Sequence, residues 1–217
     1  MNRYKILNDP VQPAGRGRLF VISAPSGGGK TSLVQALRGA LDNVSVSVSH
    51  TTRPRRGGET DGVAYHFIDN DEFEAMATAG EFLEHATVFD HRYGTSKAAI
   101  DDLLQADIDV ILEIDWQGAR AVGAAGLNAV TIFIMPPSIH ELEQRLRGRG
   151  DTDSAVRRRM RDAVDEMSHY AEYDYLIFND SFQQALIDLT AVVSASRLER
   201  AAQQSRHREL LDSLVAP

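Results

Sequence analysis

The sequence predicts an α/β fold: a three-layer sandwich with a central parallel sheet, a small mixed α/β insertion and a helical lid. Three observations carry that prediction. Short apolar runs alternate with segments of helical spacing over most of the chain, as parallel strands and their crossover helices do. A glycine-rich turn, Ala24-Pro-Ser-Gly-Gly-Gly-Lys30-Thr31, joins the first apolar run to the first helix. Between about residues 52 and 96 the rhythm breaks, so that stretch reads as an insertion with its own small fold.

Residues 1–17 hold Pro10, Pro13, Gly15 and Gly17 and lack the apolar core of a signal peptide, so they read as a flexible leader. Residues 19–23 are the first buried strand. Leu33, Val34, Leu37 and Leu41 set a helix over 31–41, and 44–49 alternate as a strand does. Residues 50–68 are irregular and end in a strand-like run at 63–68. Asn70 or Asp71 would cap a helix over 72–79. Two short strands follow within 81–93, then a helix over 97–105 with Ile100, Leu103 and Leu104 on one face. Buried strands return at 109–114 and 129–135; a helix over 118–125 follows the first, and Pro136-Pro137 closes the second. Ser138 caps a helix through Arg147, residues 148–153 are polar, and 155–170 form a helix that is first basic, then acidic. A last strand at 175–178 precedes a final helix from 182 to about 204. The core is thus 18–51 and 97–205, with a lid at about 145–160, the insertion at 52–96, and a tail over 206–217 whose Arg206-His-Arg208 reads as a solvated helix end.

A chain of 217 residues allows one core domain with small insertions. Hydrophobic content of 43% and charged content of 25% suit a soluble globular protein. No apolar run approaches the ~20 residues that cross a bilayer. The absence of cysteine excludes disulfides, thiolate metal sites and cysteine nucleophiles. These features fit a cytoplasmic protein without a membrane partner, and the net charge of −8 argues against nucleic acid as a partner. An acidic protein that handles phosphates must concentrate its arginines. Two places do so: Arg53-Pro-Arg-Arg56, and the seven arginines from Arg145 to Arg161.

The glycine-rich turn is G-x-x-x-x-G-K-[ST] apart from Ala24 at its first position. Backbone N–H groups of such a turn point inward around a phosphate. Lys30 would reach the outer phosphates and the Thr31 hydroxyl would hold Mg²⁺. Alanine serves at position 24 only if its φ is not positive. In the insertion, arginine forks match phosphate oxygens bidentately, and Tyr65 and Tyr93 offer phenolic donors. The Glu84 carboxylate can accept from two adjacent N–H donors, as guanine presents, with a hydroxyl from Ser49 or Thr95 completing such a pocket. Taken singly, each of these residues is more commonly structural. Arg145 and Arg149 share a helix face if the helix reaches that far, and Arg157, Arg158 and Arg159 open the next one, so a lid closing over a triphosphate is one reading. An Arg145–Glu141 salt bridge is the other. Glu113 and Asp115 end a buried strand at the carboxyl edge, where ligands sit, and Asp115 also suits a helix N-cap.

Assembled, these blocks closely resemble guanylate kinase of the bacterial type, from about Gly17 to Arg200. The resemblance rests on the glycine-rich turn, Ser47-Val-Ser-His-Thr-Thr-Arg-Pro-Arg-Arg-Gly-Gly-Glu59, Glu81-Phe-Leu-Glu84, Tyr93-Gly-Thr95, Glu113-Ile-Asp-Trp-Gln-Gly118, Pro136-Pro-Ser138 and Arg145-Leu-Arg-Gly-Arg-Gly150. It implies a P-loop core, a GMP-binding insertion and an arginine lid, transferring the γ-phosphoryl of ATP to GMP with Mg²⁺. By similarity, Arg53, Arg56, Tyr65 and Tyr93 would hold the GMP phosphate, with Glu59 in the same substrate-binding block. Ser49, Glu84 and Thr95 would read guanine. The loop residues Ala24, Pro25, Ser26, Gly27, Gly28 and Gly29, with Lys30, would hold ATP, and Thr31 the metal. Asn179 would approach the adenine. Arg145, Arg149 and Arg159 would cover the transferring phosphoryl, and Glu113 and Asp115 would stand near acceptor and metal. Glu113 replaces the aspartate of other members, and the lid is about one residue shorter than usual, leaving open which of Arg157, Arg158 and Arg159 enters the site. GMP and ATP would be the partners of a monomer or small homo-oligomer. A kinase for a ribose phosphate acceptor would share loop and lid without needing Glu84. A non-catalytic guanylate-kinase-like binding module would not need Lys30 and Thr31.

Overall fold

The computed structural model describes residues 17–88, 90–148 and 152–216. In chain order the core begins with β1 (Leu19–Ser23), α1 (Lys30–Ala40) and β2 (Val44–Val46). The insertion contributes β3 (His50–Thr51), β4 (His66–Phe67), α2 (Asn70–Thr78), β5 (Phe82–Val88) and β6 (His91–Ser96). The chain continues through α3 (Lys97–Gln105), β7 (Asp109–Glu113), α4 (Trp116–Ala124), β8 (Ala129–Met135) and α5 (Ile139–Arg147). It ends with α6 (Asp153–Ser168), a 3-10 turn at Tyr170–Glu172, β9 (Tyr175–Phe178), α7 (Phe182–Arg197), α8 (Arg200–Arg206) and α9 (Arg208–Val215).

Five strands form one sheet in the order β2-β7-β1-β8-β9, and every pairing in it is parallel. All five residues of β1 are buried, because helices cover both faces of the sheet. On one face Phe20, Ile22, Ile111 and Ile132 pack against Leu33, Val34 and Leu37 of α1 and Ala185, Leu189 and Val193 of α7. On the other, Leu19, Val21, Val110 and Leu112 meet Ile100 and Leu104 of α3 and Val122 of α4. Alternate residues of β1 and β7 thus enter opposite cores, which is why these runs are apolar throughout rather than every second residue. The expected three-layer α/β sandwich is what the chain forms.

The second sheet has the order β4-β3-β6-β5 and is mixed: β3 pairs with β4 in parallel and with β6 antiparallel. Helix α2 leans on it through Phe73, whose ring lies 4.6 Å from that of Phe82. This sheet already includes His50 and Thr51, so its strands begin before residue 52.

Several local expectations differ from the structure. The strand expected over 44–49 stops at Val46, because the chain must leave the parallel sheet to enter the second one. Of 63–68 only His66 and Phe67 are extended into a ladder. The cap of α2 is Asp69, whose carboxylate accepts from the Glu72 amide at 2.8 Å, rather than Asn70 or Asp71. The single final helix is broken into α7, α8 and α9. At the first break the Arg18 guanidinium donates to the Ser196 carbonyl at 2.9 Å and to Glu199 at 2.8 Å, fastening the turn to the core. Arg206 pairs with Asp107 at 3.1 Å, so the segment read as a solvated helix end is tied down at that residue. Gly17 belongs to the ordered core: its amide donates to the Leu104 carbonyl at 2.7 Å, and a Cβ there would lie 2.0 Å from the Ile108 oxygen. The rest of the expected leader, residues 1–16, lies outside the described residues.

Candidate active site

The phosphate loop leaves β1 at the carboxyl edge of the sheet. β1 lies between β7 and β8, and the chain crosses from one side of it to the other after β7. Ligands of open α/β sheets bind beside such a switch point. Gly27 and Gly29 hold φ of 91° and 94°, and the Gly28 amide donates to the Pro25 carbonyl at 2.8 Å. Ala24 is not among the described residues of positive φ, and it packs on the core, so alanine there needs no strained backbone. Gly29 caps α1 without a side-chain partner, which leaves the first amides of the helix facing the loop.

Asn179 stands behind this loop. It is 4% exposed, and its side-chain amide donates to the Gly28 carbonyl at 2.9 Å. Its backbone carbonyl in turn accepts from Arg145 at 3.3 Å. A Cβ on Gly29 would lie 2.3 Å from the Asn179 amide nitrogen. Gly29→Ala therefore combines a positive φ with a clash at the loop's support, and is expected to lower stability by about 1–3 kcal/mol. Thermal melts of the variant against the unchanged protein check this.

Lys30 and Thr31 open α1 beneath the loop. The Lys30 ammonium donates to the Ile114 carbonyl at 3.3 Å. Burial lowers its pKa, while Glu113, Glu166 and Asp115 oppose that shift. The Thr31 hydroxyl donates to Glu113 Oε2 at 3.1 Å. Asp115 takes the competing role foreseen for it: its carboxylate caps α4 by accepting from the Gly118 amide at 2.9 Å. The two carboxylates therefore have different partners, although both lie within the field of Lys30.

In the insertion, Arg53 is 7% exposed and pairs with Glu59 at 2.6 Å. Its guanidinium lies 5.3 Å from the Tyr65 ring centre and 5.7 Å from that of Phe67. Glu59 also accepts from the Arg56 amide at 2.7 Å, so one carboxylate holds the Arg53 guanidinium and the Arg56 backbone, while the Arg56 side chain stays exposed. Tyr65 and Tyr93 meet edge to face at 5.9 Å. Ser49 is half-buried just before β3, and its carbonyl accepts from the His66 amide at 2.9 Å.

Glu84 is 6% exposed and accepts a short hydrogen bond from the buried Thr95 hydroxyl across the β5–β6 hairpin. Burial pushes its pKa up to about 7, with the Thr95 bond opposing and Asp115 adding to the rise. Gly118 is what lets α4 approach: a Cβ there would sit 3.0 Å from Glu84 Oε2.

The lid region joins α5 and α6 through a small core of Leu142, Leu146, Val156 and Ala163. Arg145 is half-buried and pairs with Glu141 at 3.2 Å while also reaching the Asn179 carbonyl, so the salt-bridge reading of it is realised. With Gly27, Gly29, Ser32 and Phe182 it lines an open cleft beside the loop. Arg149 lies outside the described residues. Of the three arginines that open α6, Arg157 and Arg158 are exposed and Arg159 is half-buried.

Sequence reasoning missed three groups. Glu166 Oε2 accepts from the Ser26 amide of the loop at 3.0 Å, and burial raises its pKa. The rings of Trp116 and His169 stack at 3.8 Å, and Arg120 pairs with Glu172 at 2.6 Å, fastening the end of α6 to α4. Tyr173 sits beneath with its hydroxyl buried, and its pKa is pushed up to about 12, first by that burial. The acidic end of α6 was the one sequence signal for Glu166; nothing local distinguishes it from Glu172.

Comparison with known proteins gives one consistent result. The family profile described as "Guanylate kinase" matches residues 16–196. A guanylate kinase of Chromohalobacter salexigens is 54% identical over 208 residues, spanning 95% of this chain and 97% of that one. That of Escherichia coli K12 is 51% identical over 204 residues, spanning 93% and 99%. The crystal structure of guanylate kinase from Anaplasma phagocytophilum superposes with a TM-score of 0.73 at 34% identity, covering 92% of this chain and 95% of that one.

Proposed function

The chain belongs to the guanylate kinase family, and from that premise we propose how its residues share the work. The reaction is transfer of the γ-phosphoryl group of ATP to GMP, giving ADP and GDP. The loop from Ala24 to Gly29 and Lys30 hold the donor phosphates, with Asn179 bracing the loop from behind. Arg53 and Arg56, aligned by Glu59, grip the GMP phosphate with Tyr65 and Tyr93. Ser49, Glu84 and Thr95 read guanine. Arg145, Arg149 and Arg159 cover the transferring group as the lid closes, while Glu113 and Asp115 lie between the two nucleotides.

The observation that supports this division is the position of Asp115. It accepts from the Gly118 amide at 2.9 Å, a Cβ on Gly118 would lie 3.0 Å from Glu84 Oε2, and the neighbouring Ile114 carbonyl accepts from Lys30 at 3.3 Å, so the two halves meet around residues 114–118. Mg²⁺ fits the donor side: the Thr31 hydroxyl beside the Glu113 carboxylate is an all-oxygen pair, the ligand type a hard cation takes. When bound there it would supply positive charge against the donor phosphates. The acceptor is a phosphate oxygen already largely ionised near neutral pH, so no strong base is needed. The residues therefore act by positioning and by fixed positive charge.

Purified protein supplied with ATP and each of GMP, AMP, CMP, UMP and a ribose phosphate tests the reading. ADP production that depends on GMP alone is expected. Comparable turnover with the ribose phosphate would remove the guanine-reading role of Glu84. Among the described residues no helix is long and apolar enough to cross a membrane.

A further inference from the structure

We propose that Glu166 is a positioning residue that competes with a donor phosphate oxygen for the loop, so that ATP must expel it and thereby releases the lid helix. The proposal rests on the reading of the loop as the ATP site. The Ser26 amide lies in the loop read as the donor-phosphate site, and Glu166 Oε2 accepts from it at 3.0 Å in a charge-assisted bond. A carboxylate and a phosphoryl oxygen cannot both occupy that position, and as like charges they repel.

The docked carboxylate sits in a divided field. Lys30 and the Ser26 amide favour its charge, while burial, Asp115 and Asp162 oppose it. Asp162, one turn earlier on α6, carries a buried Oδ2 without a hydrogen-bond partner. The acidic face of α6 is therefore held against the loop by few favourable contacts, and a stronger anion with more charge to offer can displace it.

Displacement at Glu166 is transmitted because of where α6 is fastened. Its end is anchored three residues further on by the His169–Trp116 stack and the Glu172–Arg120 pair. Arg159 lies two turns before Glu166, on the same face of the helix. Measured from His169 at 1.5 Å per residue, Arg159 is about three times as far from the anchor as Glu166. Tilting about that anchor turns a small shift at the loop into one about three times larger at the arginine. Donor binding would thus move the lid arginines before any acceptor contact.

The test is calorimetric titration of the full-length protein with a non-hydrolysable ATP analogue and, separately, with GMP. In Glu166→Gln the competing charge is gone, and the analogue is expected to bind about tenfold tighter with GMP affinity unchanged. Glu166→Asp keeps the charge but is one methylene too short to reach Ser26, and the analogue is again expected to bind more tightly. Analogue affinity that is unchanged or weaker in both variants overturns the proposal. So does loss of GMP affinity alongside it in both, since the contact would then be a structural strut. Failure of the wild-type protein to bind the analogue would instead overturn the reading of the loop as the donor site.

Discussion

Replacing Lys30 with alanine is expected to lower kcat by on the order of 10³-fold and to leave GMP affinity within about twofold. The asymmetry follows from its position. Lys30 lies at the start of α1 beneath the loop, with its ammonium on the Ile114 carbonyl of the core. The charge that forms during transfer spreads over the γ-phosphoryl oxygens, and a desolvated ammonium beside them is worth far more than the same group in water. Burial lowers the Lys30 pKa, but the carboxylates of Glu113, Glu166 and Asp115 counter that shift. Removing the ammonium leaves the Glu113 and Asp115 carboxylates uncompensated next to the donor phosphates, which adds repulsion to the lost attraction. Initial rates at saturating GMP, with GMP titration of the variant, check both halves; undiminished turnover would end the loop assignment.

Glu84→Gln is expected to raise KM for GMP by roughly 10- to 100-fold, the range for loss of a charge-assisted bond at a buried site, with KM for ATP unchanged. Glutamine still accepts one hydrogen bond, but its NH₂ would face a donor where the carboxylate offered a second acceptor. The same residue gives a pH signature. With its pKa raised to about 7, Glu84 is increasingly protonated below pH 7 in the free enzyme. Guanine donors favour the carboxylate, so GMP binding releases a proton and KM for GMP should climb as pH falls through 7. The GMP phosphate takes up its own proton near pH 6, and the glutamine variant should retain only that lower step.

The linkage to stability has the opposite sign. Between the ordinary carboxyl value of 4.5 and about 7 the folded protein holds a proton that the unfolded chain has lost. That contribution is present at acid pH and disappears as pH rises through 7, amounting to at most about 3 kcal/mol. Melts at pH 5 and pH 8, compared with Glu84→Gln, measure it.

Much of this was legible in the chain. The central strands β1 and β7 enter the cores on both faces of the sheet, so their apolar runs are nearly unbroken and easily read, whereas the edge strands β2 and β9 are only partly buried. The glycine-rich loop was legible because its positive φ at Gly27 and Gly29 leaves little choice of residue. The arginine block, Glu84 and Thr95 were found as types in a pattern. What sequence spacing could not supply was partnership. That Asn179 braces Gly28 across 151 positions, that Gly118 is small to let α4 reach Glu84, and that Trp116 anchors His169 depend on the packing of distant segments.

The same division separates the carboxylates. Local periodicity determined that Glu113 and Asp115 stand at the carboxyl edge of a buried strand, since a strand that enters two cores permits little else. Only the tertiary structure decided that Glu113 meets Thr31, that Asp115 caps α4, and that Glu166 from a remote helix accepts from the Ser26 amide of the loop. Backbone propensity and apolar patterning act over a few residues, so they are written in the local sequence. The environment of a charged group is set by whatever the folded chain brings within a few ångströms of it, and that is written nowhere but in the fold.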